Sequence, residues 1–340
     1  MKERILRVLT DYGIVLMLIV LVVYFTISTP NHIFITPLNL INITHQIAIN
    51  TILGIGMTFV IITAGIDLSV GSVLAYCGLV AADMVKHGLH IGGVTILPNT
   101  PVPLAVLEGL LGALVVGGFI GSLNGVVITK FKVNPFIATL AAMTIVRGFA
   151  FIYNNSYPIS NLPNSFDKLG GGVGGRFMHI PYPVWVALLL VVISHFVLSR
   201  TRFGRQVYAV GGNEEASRLS GVNTNRVKLM VYIIMGVLAG LAGVLQAADV
   251  SSADPQAGLM YELNAIAAVV LGGSSLMGGR GTILGTLLGA LVIGVLNNGL
   301  IMLGISDFYQ QVWRGVVILF AVLLDQAKIA LLARQRRVAE

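Results

Sequence analysis

Pro103-Leu-Ala-Val-Leu-Glu-Gly-Leu-Leu-Gly-Ala-Leu-Val-Val-Gly-Gly-Phe-Ile-Gly-Ser-Leu-Asn-Gly-Val-Val-Ile-Thr129 is a run of 27 residues with a single charged side chain, Glu108, near its start. About 20 mainly apolar residues cross the roughly 30 Å of bilayer hydrocarbon as a helix. In that solvent a helix satisfies its own backbone hydrogen bonds. A transmembrane barrel strand would instead be short and alternating. Small residues recur at Gly117, Gly121 and Gly125, one face of such a helix. Glycines four apart let helix backbones come close in lipid, where apolar contact alone does not favour protein over acyl tails. The segment therefore reads as a membrane-crossing helix built to pack against another helix.

The rest of the chain repeats the pattern. Hydrophobic residues make up 56% of 340 and charged residues 10%, with 40 glycines, which is far from soluble usage. Ten candidate spans emerge, near 12 to 28, 40 to 63, 69 to 85, 103 to 129, 135 to 153, 182 to 199, 226 to 248, 262 to 272, 281 to 304 and 309 to 327. The eighth is too short to cross straight and ends at Gly272-Gly273, so it is a half-helix or a span continued through irregular backbone. The first follows a charged start with no small-residue cleavage site after it, and is read as retained. The expected fold is an all-α polytopic membrane protein of about ten helices, one short or broken, forming a single domain over 1–340.

Charge sets the orientation. With the N-terminus inside, Lys2, Arg4, Arg7, Lys130, Lys132, the cations between Arg200 and Lys228, Arg280, Lys328 and Arg334 to Arg337 fall on inner segments, leaving Lys86, Lys168 and Arg176 outside. This positive-inside bias accounts for the net charge of +7 without a nucleic acid, and places both termini in the cytoplasm. Cys77, the one cysteine, lies in the third span and permits neither an intrachain disulfide nor a cysteine metal site. The six histidines lack metal-ligand spacing. Gly236 and Gly240 in the seventh span, and Gly281, Gly285 and Gly289 at the ninth, repeat the close-packing pattern. Leu110-Leu-Gly-Ala-Leu-Val-Val-Gly117 and Leu287-Leu-Gly-Ala-Leu-Val-Ile-Gly294 agree at seven of eight positions and would run in opposite directions, which suggests an inverted repeat.

Chemistry has few places to reside. There is no GxxxxGK[ST] phosphate loop, and Leu219-Ser-Gly-Val-Asn223 resembles an ATPase signature only by coincidence, so any energy for transport comes from a partner or an ion gradient. Asp67 and Ser69 stand between the second and third spans as helix-cap candidates in a tight inner hairpin, or as part of a gate. Lys130-Phe-Lys-Val-Asn-Pro-Phe136 is a basic turn with Pro135 placed for a first helical turn. Arg147 and Arg314 are cations at membrane depth, where they face a partner, water or the bundle interior. Gln46, Asn50, Asn124, Asn264, Asn297 and Asn298 offer amides suited to a polyhydroxylated solute, or equally to helix–helix hydrogen bonds. With Phe136 and Arg147 they form the candidate translocation set.

These residues carry a resemblance. Gly56-Met-Thr-Phe-Val-Ile-Ile-Thr-Ala-Gly-Ile-Asp-Leu-Ser-Val-Gly-Ser72, Phe136-Ile-Ala-Thr-Leu140, Thr201-Arg-Phe-Gly-Arg205, Tyr208-Ala-Val-Gly-Gly-Asn-Glu-Glu-Ala-Ser-Arg-Leu-Ser-Gly-Val222, Tyr261-Glu-Leu-Asn-Ala-Ile-Ala-Ala-Val-Val-Leu-Gly-Gly273, Gly278-Gly-Arg-Gly281 and Asn298-Gly-Leu300 resemble the membrane permease subunits of ribose-type ABC sugar importers, over nearly the whole chain. The resemblance implies a non-catalytic homodimeric permease in the bacterial inner membrane. It would work with a cytoplasmic ATPase, which binds ATP and Mg, and a periplasmic sugar-binding protein. It also implies that a coupling helix at about 212–222, within the cytoplasmic loop 200–225, docks on the ATPase through Asn213, Glu214, Glu215, Ala216, Ser217, Arg218, Leu219, Ser220 and Gly221. Ala216 and Leu219 would supply a small apolar face with Glu214, Glu215 and Arg218 at its rim. The outer segments 86–102 and 154–183 are expected to receive the binding protein. A gradient-driven sugar carrier, a polyol permease and a non-transporting sensor are the alternatives. The carrier lacks intramembrane acidic relays, since Asp83 and Glu108 lie toward span ends, and the sensor lacks a soluble domain.

Overall fold

A computed structural model describes residues 2–91, 94–97, 101–306, 308–313, 315, 316 and 319. Arg314 and most of the expected tenth span lie outside the described residues. The helices are α1 (Lys2–Ser28), α2 (Pro37–Ile62), α3 (Val70–His87), α4 (Val102–Lys130), α5 (Pro135–Tyr153), α6 (Asn164–Gly170), α7 (Tyr182–Arg200), α8 (Arg202–Gly212), α9 (Glu214–Leu219), α10 (Thr224–Asp249), α11 (Tyr261–Leu271) and α12 (Ile283–Met302). Six of them, α2, α4, α5, α7, α10 and α12, are long and apolar enough to cross a membrane, and two shorter apolar helices lie at Gly13–Ser28 and Tyr261–Leu271. Among the described residues, strands occur only as two-stranded ladders. Nine of the ten expected spans thus have a helix at the expected place.

The glycine faces meet one another. α4 makes its most extensive contact with α10. There a β-carbon on Gly117 would sit 2.2 Å from the carbonyl oxygen of Gly236, and one on Gly236 would sit 2.1 Å from that of Gly117. Gly121 likewise faces the Tyr232 carbonyl, and Gly240 the Ala113 carbonyl. Backbone lies against backbone along this seam, which only glycine allows. α12 meets α11 the same way, through Gly285 on the Gly272 carbonyl and Gly289 on the Ala268 carbonyl. The two LLGALV segments nevertheless use different glycines: Gly117 closes on backbone, whereas its counterpart Gly294 faces the Ile47 side chain. α2 is buried along most of its length and joins α12 through the Thr58–Thr286 hydroxyl pair at 2.6 Å.

Both ends of the bundle are tied. At one end the Gly279 N–H donates to the Ile62 carbonyl at 2.9 Å, beside Gly211 and Gly212. The ends of α2 and α8 and the 272–281 loop therefore converge on the face expected to be cytoplasmic. At the other end Ile159–Ser160 pairs with Ser252–Ala253, Lys86 Nζ donates to the Ser160 carbonyl at 2.8 Å, and Gly170 abuts the end of α10. The segment 154–183 is consequently a folded cap containing α6, with Phe166 fully buried, rather than an open loop.

The eighth span is a short apolar helix flanked by non-helical backbone, within the two forms expected of it. α11 has 11 residues, about 16 Å at 1.5 Å per residue, and irregular backbone from Val250 to Met260 precedes it. Gly258 of that stretch touches Gly71 in the first turn of α3. The linker before α3 is correspondingly not the tight hairpin expected. Ile62 lies against Gly211 at the end of α8 and Ala64 against Gly278 in the 272–281 loop, while Gly71, a few residues on, packs against Gly258 and Glu262. The chain turns back into the bundle before α3 begins.

Candidate functional site

The loop 200–225, within which coupling was expected at about 212–222, forms two helices, α8 and α9. α8 is capped by the Thr201 hydroxyl, which accepts from the Gly204 N–H at 3.1 Å, and it buries Val207 and Val210. Tyr208 donates its hydroxyl to the Gly281 carbonyl at 2.6 Å, and burial raises the pKa of this phenol, which keeps it a donor. Asn213 ends α8 and caps α9, its side chain accepting from the Ala216 N–H at 2.9 Å. Gly221, at φ +84, then reverses the chain after Ser220.

α9 presents nearly everything it has. Asn213, Glu214, Glu215, Ala216, Arg218, Leu219, Ser220 and Gly221 are exposed, Leu219 by 79%, and only Ser217 is buried. Arg218 pairs with Glu215 at 2.7 Å and Glu214 with Lys228. Ion pairs this exposed contribute little to stability. Their effect is to hold charges in fixed positions around Ala216 and Leu219, an apolar pair in water with a charged rim.

Asp67 and Ser69 sit deeper than a surface turn would. Asp67 is 2% exposed and Ser69 fully buried. One carboxylate oxygen accepts from the Ser69 N–H at 2.9 Å and its hydroxyl at 2.6 Å, and the same hydroxyl accepts from the Asn124 amide at 3.0 Å. Ser69 therefore does not cap α3: its side chain is committed to Asp67 and Asn124, and its backbone is already helical. Asn124 reads as a strut between α4 and this linker.

Other members of the candidate translocation set have differing fates. Arg147 lies 12 residues into α5, about 18 Å along it. It donates through one nitrogen to the carbonyls of Pro255 and Ala257, at 2.5 and 2.9 Å, pinning the irregular stretch before α11. Glu262 and Asp254 lie within electrostatic reach of it. Asn298 is buried and accepts from Asn39 at 2.9 Å, a helix–helix bond between α12 and α2 that removes it from any solute-facing surface. Asn50 and Asn297 each keep a buried side-chain oxygen without a hydrogen-bond partner among the described residues. Gln46 and Phe136 are exposed, and Asn264 is half-buried. Sequence reasoning passed over Glu262, Asp254 and the Tyr261–Gln246 contact at 3.3 Å. The signal for them was the irregular Asp254-Pro255 stretch leading into a helix too short to span. A cavity of about 560 Å³ between α3, α4 and α5 has almost wholly apolar walls, Asn124 and Tyr76 excepted, which is unsuited to a sugar.

Apolar helices bound by glycine contacts, six of them long enough to cross a membrane, define an all-α polytopic membrane protein. The family model described as the permease component of a branched-chain amino acid transport system matches residues 39–322, and the chain belongs to that family. Its similar relatives are sugar permeases. The ribose import permease protein RbsC of Bacillus subtilis (strain 168) is 47% identical over 323 residues, 95% of each chain. RbsC of Escherichia coli (strain K12) is 46% identical over 312 residues, 92% of each. The galactose/methyl galactoside import permease protein MglC of Escherichia coli (strain K12) is 35% identical over 334 residues, 97% of this chain and 98% of the relative.

Proposed function

We propose that this chain is the transmembrane subunit of an ATP-driven ABC importer carrying ribose, or a closely related monosaccharide, across the bacterial inner membrane. The observation that carries the reading is identity of 43–47% with ribose import permeases over more than nine-tenths of each chain. The permease acts as a homodimer with both termini in the cytoplasm. A separate ATPase subunit holds ATP and Mg and seats α9 in a groove, with Leu219 and Ala216 inserted and Glu214, Glu215 and Arg218 at the rim. The folded outer cap, 154–183, receives a sugar-binding protein. ATP drives alternating access because it binds the two global states of the complex unequally.

The geometry supports a route for that drive. α9 follows α8, whose Gly211 abuts Ile62, and the linker beyond Ile62 leads through Asp67 and Ser69 to Gly71, which touches Gly258 and Glu262 near Arg147. The partnerless oxygens of Asn50 and Asn297 suit hydrogen-bond donors such as sugar hydroxyls.

The test is labelled ribose uptake into ATP-loaded proteoliposomes, with the ATPase and the binding protein supplied or withheld. The importer requires all three proteins. Uptake by this chain alone under an ion gradient would establish a secondary carrier instead, and uptake of a polyol but not ribose by the full set would reassign the substrate.

A further inference from the structure

The cavity between α3, α4 and α5 takes no part in the sugar route above, and its shape and mouth are specific. On α4 its wall runs from Val116 to Val127, 11 residues or about 16 Å of helix rise. That is close to half of the roughly 30 Å hydrocarbon core, the depth of one leaflet. On α5 the facing wall includes Ala142 and Phe149. At the lower end, Val127 and Val133 both line the cavity, and the Val133 N–H donates to the Val127 carbonyl to close the turn between the helices. That turn is Lys130-Phe131-Lys132, all three residues exposed, and neither lysine has an ion-pair partner among the described residues. A slot with apolar walls, about one leaflet deep, therefore ends at a turn that carries two exposed lysines.

We propose that this slot is a binding site for an anionic phospholipid of the leaflet on the lysine side. One acyl chain lies between α4 and α5, and the headgroup phosphate rests on Lys130 and Lys132. A sugar is excluded by the apolar walls, and a zwitterionic lipid would gain nothing from the lysines. Basic pockets between helices recognise anionic headgroups in this way, and each lysine near the surface changes the affinity about fivefold. Lys130 and Lys132 would then do more than orient the chain: they would hold a lipid where α5 meets its neighbours.

The full-length chain, released from nanodiscs of equal phosphatidylglycerol and phosphatidylcholine, is analysed by native mass spectrometry for retained lipid. The expected result is preferential retention of phosphatidylglycerol. It should fall about 25-fold in the double variant Lys130→Gln/Lys132→Gln. It should also fall in Ala142→Phe, which fills the slot and keeps both lysines, while Arg202→Gln on the same side of the bundle retains the lipid. Equal retention of the two lipids by the wild type, or phosphatidylglycerol retention unchanged in both slot variants, would overturn the proposal. So would efficient disulfide cross-linking between two copies carrying Ile137→Cys in a native membrane, because a second copy would then occupy the slot.

Discussion

Gly211 and Gly212 close α8 side by side, yet a methyl group on each would meet different surroundings. On Gly211 it would lie 1.6 Å from the Ile62 carbonyl oxygen and 2.7 Å from the Gly279 nitrogen, whereas on Gly212 it would have no neighbour within 4 Å. Neither glycine has a positive φ, so alanine is conformationally acceptable at both. Helix propensity favours alanine by about 0.5–1 kcal/mol in each case. At Gly211 that gain is overwhelmed. Backbone has to separate from backbone, at about 1–3 kcal/mol for overpacking. The Gly279-to-Ile62 hydrogen bond is lost with it, at about 1 kcal/mol more. Gly211→Ala should therefore destabilise the chain by a net of about 1–3.5 kcal/mol and lower its melting temperature by roughly 1–5 °C. It should also impair uptake strongly, because the contact it wedges open joins α8 to α2. Gly212→Ala should be as stable as the wild type or more so by up to about 1 kcal/mol, and should transport normally. The assays are a thermal scan of the purified chain and ribose uptake by the reconstituted system. Equal melting temperature and equal uptake for the two alanine variants would refute the close contact and the route through it.

Charge reversal at Glu214 or Arg218 should abolish uptake and leave the stability within about 1 kcal/mol of the wild type, since the pairs are exposed; normal transport by both variants would show that α9 does not dock the ATPase. Arg147→Ala removes two charge-assisted bonds to the Pro255 and Ala257 carbonyls, and should cost about 3–5 kcal/mol and loosen the 250–260 stretch, read by hydrogen exchange. Unchanged protection there would assign Arg147 elsewhere. Gly117→Val should prevent assembly of the α4–α10 seam, seen as loss of folded protein from detergent extracts, whereas Gly148→Ala, with open space around it, should be silent.

The helices were legible because apolar length and flanking charge act locally: 103 to 129, 135 to 153 and 182 to 199 each fall within a residue or two of α4, α5 and α7. A short helix was expected at about 212–222 and α9 lies there, with the Asn213 side chain as its cap, a role not assigned to it from the sequence. What could not be read was which polar side chain finds which partner. Asn298 and Asn297 are adjacent and chemically identical, yet only Asn298 meets Asn39. Ser69 looked like a cap because it precedes a helix, and is claimed instead by Asp67 and by Asn124, 55 residues away. Glu262 escaped notice because its significance depends on Arg147 and Gly71, both distant in sequence.

The seam between α4 and α10 has a mechanical corollary. Glycines set into facing carbonyls leave few side chains between these two helices to slide or change rotamer, Val237 against Gly118 and Leu229 against Gly125 among them, so the helices fit together closely. α3 joins them through Gly78 and Gly243, which makes a stiff three-helix slab. α5 touches α4 far less and packs on the slab mainly through α3, and α11 meets the slab lightly, at Glu262 beside Gly71. Any rocking that opens the molecule to one side and then the other has to hinge at those lighter flanks, with the slab moving as a rigid body.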